Sequence, residues 1–102
     1  MPNKHRGEIG AEIGGKRRTL VLTLGALAEL ESAFGAEDLA ALTDRFATGR
    51  FAARDLTRII AAGLRGAGES VSDDEVAAMA VEGGAHGYVR IAAALLAATF
   101  GD

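Results

Sequence analysis

The stretch Gly7-Glu8-Ile9-Gly10-Ala11-Glu12-Ile13-Gly14-Gly15-Lys16-Arg17-Arg18-Thr19-Leu20-Val21-Leu22-Thr23-Leu24 decides the fold class. It contains two runs of period two. Ile9, Ala11 and Ile13 alternate with Glu8, Gly10 and Glu12; Leu20, Leu22 and Leu24 alternate with Thr19, Val21 and Thr23. Alternation of this kind suits a strand with one covered face, and Gly14-Gly15-Lys16-Arg17 between the runs supplies a turn. The reading is a β-hairpin. A four-residue loop would pair Ile13 with Arg18, Ala11 with Leu20 and Ile9 with Leu22, and it is preferred to a two-residue loop because it gathers the apolar residues on one face.

After the hairpin the period changes from two to that of a helix. Thr23 caps a helix running through Phe34, with Leu24, Leu27, Leu30 and Phe34 at helical spacing and Gly35 as its stop. A second helix is expected over Glu37 to Ala47, with Leu39, Leu42 and Phe46 as its stripe and Glu37 and Asp38 in its first turn. The third spans Ala52 to Arg65, where Leu56, Ile59, Ile60, Gly63 and Leu64 form one apolar face before Gly66-Ala67-Gly68.

Ser72 opens the fourth helix, with Glu75 at the spacing of a capping box; Val76, Met79 and Ala80 are expected to face inward, and Gly83-Gly84 is the stop. The last helix covers roughly Gly87 to Thr99. From Ile91 to Phe100 it carries no charge, so it is expected to be central in the domain or covered by a partner. The fold class is therefore α+β: an N-terminal β-hairpin followed by about five short α-helices in one small, mostly helical domain. Residues 1–6 form a polar tail and residues 7–102 the globular unit.

Composition narrows the function. The chain has 102 residues, 49% of them hydrophobic and 25% charged, which is a globular balance. Alanine makes up about a fifth of it, and alanine favours helix while burying little area per residue. A core built this way rests on few large side chains and gains stability from association.

The net charge of −3 opposes general nucleic-acid binding. Without cysteine there is no thiol nucleophile, disulfide or thiolate metal site. Met1 to Gly15 lacks the apolar centre of a secretory signal, and no apolar run approaches the length of a membrane span. The expected location is the cytoplasm of the producing cell.

No motif nominates a reaction. His5 and His86 lie far apart, and His86 is expected in a turn. Asp73-Asp74-Glu75 matches a helix N-terminus and lacks the spaced oxygen ligands of a calcium loop. The glycines of Gly63 to Gly68 follow a helix, not a strand, in an order unlike a phosphate loop. No catalytic residue, cofactor or metal is assigned.

The candidate partner-binding residues are of two kinds. Arg50, Arg54 and Arg58 stand four apart, with Arg65 further round the same helix; they are a solvated face or a dock for an acidic partner. Leu95, Leu96 and Phe100 form the apolar end of the last helix. The hairpin edge adds a third surface, one that can pair with another chain.

The segments Gly7 to Ile9, Thr19 to Glu31 and Ile59 to Gly68, with a final alanine-rich helix, resemble the small tail proteins of gene transfer agents and related siphophage-like elements. The resemblance covers nearly the whole chain and implies one of two roles, tail tube protein or tail assembly chaperone. One hairpin and several helices suit the chaperone better, because a tube ring is built of long strands joined edge to edge. The chaperone role implies the tape-measure protein as partner. The alternatives are a structural tail tube or minor tail component and, more distantly, a small helical DNA-binding regulator resting on the arginine stripe.

Overall fold

A computed structural model describes residues 6–34 and 52–100. They form strands β1 (Glu8–Ile13) and β2 (Lys16–Val21), then helices α1 (Leu24–Phe34), α2 (Ala53–Gly66), α3 (Asp73–Ala77) and α4 (Ala85–Phe100). The α+β class holds, with four helices among the described residues where the sequence suggested five. The helix expected over Glu37 to Ala47 lies outside the described residues.

The hairpin is present, in a register two residues away from the expected one. Ile13 pairs with Lys16, Ala11 with Arg18 and Ile9 with Leu20, around a two-residue turn. A shift of two leaves every side chain on its original face, so apolar patterning cannot separate the two registers. Turn chemistry separates them. Gly14 and Gly15 have φ of 64° and 81°, and the tight hairpin turn that matches strand twist needs positive φ at both central residues. The tip is then anchored, since Gly14 donates its N–H to the Ala80 carbonyl at 2.8 Å.

Helix α2 is the centre of the domain. Leu56 and every residue from Ile59 to Leu64 are buried, and α2 packs against β2, α1, α3 and α4. Small residues make this possible. A Cβ on Gly63 would stand 2.6 Å from Leu95 Cδ2 and 3.2 Å from Leu20 Cβ, and one on Gly66 would stand 2.1 Å from the Val21 carbonyl oxygen. At Gly63 and Gly66, therefore, the helix approaches its neighbours more closely than any side chain permits. Ile13, Leu20, Leu30, Ile59, Ile60, Leu64, Val76, Leu95 and Leu96 are the large side chains of the core. Each contributes roughly 1.5–3 kcal/mol by leaving water.

Of the two places expected for the uncharged last helix, central in the domain or covered by a partner, the central one is not observed. Only Gly87, Ala92, Leu95 and Leu96 of α4 are buried; Ala93 and Ala94 are exposed, and Phe100 is 43% exposed. Alanine explains the tolerance, because leaving a methyl group in water forfeits little. The central place goes to α2, whose branched residues have more area to hide.

The local caps follow the sequence. Thr23 Oγ1 accepts the Ala26 N–H at 3.1 Å, and Ser72 and Glu75 form a reciprocal capping box at 3.1 and 2.8 Å. Helix α3 is shorter than expected, ending at Ala77, with Val76 buried and Ala80 exposed. Helix α4 starts at Ala85, so His86 sits exposed in its first turn and not in a loop.

Candidate partner-binding surfaces

The arginine stripe divides once it is folded. Arg50 lies outside the described residues. Arg54 is exposed in the first turn of α2 and makes none of the described hydrogen bonds or ion pairs. Arg58 donates to the Ala33 carbonyl at 3.1 Å, which ties α2 to the last turn of α1, where carbonyl groups favour a cation.

Arg65 is the most heavily used. It ion-pairs with Glu29 of α1, reaches Asp73 at 3.2 Å and donates to the Val71 carbonyl at 2.9 Å. The hydrogen bond to Glu29 is the main reason its pKa lies above the usual arginine value; partial burial pulls the other way, and Asp73 adds to the rise. Two of the three described stripe arginines thus hold the fold together, which leaves Arg54 as the one turned to solvent.

The apolar candidates divide as well. Leu95 and Leu96 are 0% and 1% exposed, locked in the core against α2, so neither offers surface to a partner in this conformation. Phe100 does. Leu24, at the start of α1, is 85% exposed, the most exposed large apolar side chain among the described residues.

Two polar anchors were not singled out from the sequence. Arg18 points to the covered face of the hairpin, pairs with Glu69 and donates to the Ile13 carbonyl at 2.8 Å. Its position on the strand places it on that face, but nothing in the sequence names Glu69, 51 residues away, as its partner. Tyr88 of α4 donates its hydroxyl to the Met79 carbonyl beyond α3, and burial pushes its pKa up.

Grooves remain between elements. A channel of about 430 Å³ runs between β1 and α4, lined by Ile9, Ala11, Ile91 and Ala94, with Arg17 and Arg90 beside them. A second cleft, of about 380 Å³, lies where Arg58, Arg65, Glu29 and Asp73 meet between α1 and α2, and those side chains are mostly engaged with one another or with the backbone. Among the described residues no group of three or more His, Asp or Glu side chains is placed to hold a metal ion. No described helix is long and apolar enough to cross a membrane.

These are the features of a small α+β domain with exposed faces and open grooves. A family model described as phage tail tube protein, GTA-gp10, matches residues 6–102, and the chain belongs to that family. Its role is accordingly a structural or assembly role in a phage-type tail, in contact with other tail proteins or with copies of itself. No curated protein and no solved structure matches the chain.

Proposed function

We propose that the chain is a non-enzymatic tail-assembly chaperone that binds the tape-measure protein and covers its apolar helix faces until tube subunits replace it. The observation that carries this reading is the outer side of α4. Ala93, Ala94 and Phe100 lie open to solvent on a helix without charge from Ile91 onward. Such a smooth apolar face lets another helix approach closely and leave again, because small side chains bury modest area and lose almost no rotamer freedom.

Size supports the same reading. The described residues contain a single two-stranded sheet, whereas a tube wall built of strands joined edge to edge needs more. Of the described candidate residues, Arg54 and Phe100 are the exposed ones and the first to test as contacts. The work is done in the cytoplasm of the producing bacterium.

The test is co-expression of the tagged chain with the tape-measure protein of the same tail gene cluster. The expected outcome is co-purification, together with absence of the chain from finished particles. A second reading, structural tube or minor tail component, is favoured by the description of the family. Stoichiometric presence in purified particles would establish that reading and remove the first.

A further inference from the structure

We propose that the channel between β1 and α4 receives an extended segment of another protein, added antiparallel to β1, with a carboxylate near its N-terminal end held by Arg17 and Arg90. The inference concerns strand addition at β1, not the helix cover described above, and it holds for either tail role.

Ile13 and Lys16 close a two-residue turn and form a hydrogen-bonded pair, and along an antiparallel ladder such pairs alternate with pairs that do not exchange hydrogen bonds. Gly10 and Glu12 belong to the second kind, so their N–H and C=O groups point away from β2, toward the channel side. The sheet ends there: among the described residues β1 has no strand neighbour except β2. No described hydrogen bond from outside the hairpin reaches Gly10. An added strand would satisfy these groups, as in other cases of recognition by strand addition. The absence of a side chain at Gly10 lets the incoming backbone come close.

The channel walls are largely apolar. Ile9 and Ala11 on one side, and Ile91 and Ala94 on the other, line it with apolar surface. An extended segment places alternate side chains on one face, so its apolar residues would settle between strand and helix while its polar ones face water.

Charge fixes the chemistry and the direction. Arg17 and Arg90 are exposed, line this same channel and take part in none of the described ion pairs. Both lie toward the hairpin tip. Arg17 is two residues past the turn, opposite Glu12. Gly7 lies against Ala98 and Thr99, so α4 runs opposite to β1, and the Arg90 guanidinium rests near Gly83, before the start of α4. Of the residues that line the channel, the two arginines lie toward the tip and the one carboxylate, Glu8, lies at the far end of β1, so the tip end is the positive one. A strand antiparallel to β1 enters at that end with its N-terminus.

A second copy of the chain is a poor occupant. Antiparallel pairing of β1 with itself about Gly10 would set Glu8 of one copy beside Glu12 of the other, like charges directly opposite. The free edge of β2 is obstructed at the Val21 carbonyl, where Gly66 packs against it.

The probe is an acetylated, fluorescein-labelled eight-residue peptide that alternates valine and threonine after a leading aspartate, read by fluorescence anisotropy against the full chain. Saturable binding is expected below about 1 mM. Replacing the leading aspartate by lysine, or moving it to the C-terminal end, is expected to weaken binding about fivefold or more, the scale of one or two partly exposed ion pairs. Arg17→Glu combined with Arg90→Glu should reverse the preference in favour of the lysine peptide. Gly10→Pro should abolish binding while the circular dichroism spectrum and thermal midpoint stay native, since an edge strand tolerates proline where its N–H faces outward. No saturation at about 1 mM, or equal binding by all peptides and by the Gly10→Pro variant, overturns the proposal. A dimer in sedimentation that Gly10→Pro dissociates overturns it in favour of a second copy as occupant.

Discussion

Gly66→Ala and Gly25→Ala make the same chemical change in two helices and should move stability in opposite directions. At Gly66 the new Cβ would stand 2.1 Å from the Val21 carbonyl oxygen, while a relaxed carbon–oxygen contact lies at about 3.3 Å or more. The end of α2 must therefore withdraw from β2 by about 1 Å. The obstacle is backbone, held by the ladder to β1, so no side-chain rotation relieves it. Overpacking of this kind costs about 1–3 kcal/mol, and a rigid obstacle places it near the top of that range.

Replacing glycine by alanine in a helix returns up to about 1 kcal/mol. The net expectation is a loss of about 2 kcal/mol, or a fall in Tm of about 8–16 °C for a domain of this size. At Gly25 the nearest atom to a new Cβ is Thr23 Oγ1 at 3.8 Å and the residue is exposed, so only the propensity gain remains, about 0.4–1 kcal/mol of stabilisation. Urea unfolding followed by circular dichroism measures both. If Gly66→Ala matches or exceeds the parent chain in stability, the close approach of α2 to β2 is not what seats the central helix.

Tyr88 is the one tyrosine in the chain, so phenolate absorbance near 295 nm reports it alone. Burial raises its folded pKa, which means the folded state prefers the neutral phenol. The resulting stability is complete below the unfolded tyrosine value of about 10 and is lost as pH rises through the folded pKa. The midpoint should lie above about 10 in native protein and return to about 10 in urea; equal midpoints would refute burial of the hydroxyl. Arg65→Ala should cost about 1–2 kcal/mol in urea unfolding, because it removes a partly exposed network that joins α1, α2 and α3. Arg54→Ala should stay within about 0.5 kcal/mol, and a comparable loss at both positions would contradict the division of the stripe.

Elements governed by neighbours in the sequence were legible from it. The alternation of Ile9, Ala11 and Ile13 needs only the pleat of a strand to sort its faces, and the Thr23 and Ser72 caps act within one turn of helix. The family resemblance lay in this same local pattern. The candidate site was less legible, because each of its residues has more than one use. An arginine on a helix surface is chemically equal as a docking point or as a staple, and the choice depends on whether Ala33, Glu29 and Asp73 are brought within reach.

The hairpin register and the place of the last helix show the same divide. Two registers satisfied the apolar pattern of the strands, and the choice fell to the backbone conformation of Gly14 and Gly15 and to the anchoring of the tip on Ala80. The uncharged run from Ile91 to Phe100 fixed that a helix forms and that burial is affordable on any side. It could not fix which side, since alanine is nearly indifferent to water. Residue types and their spacing set the strands, the helices and their caps, because those forces reach only a few residues along the chain. Competition among helices for the centre, and the pairing of charges such as Arg18 and Glu69 across 51 residues, was resolved only by packing in three dimensions, where Gly63 and Gly66 allowed α2 to come closest.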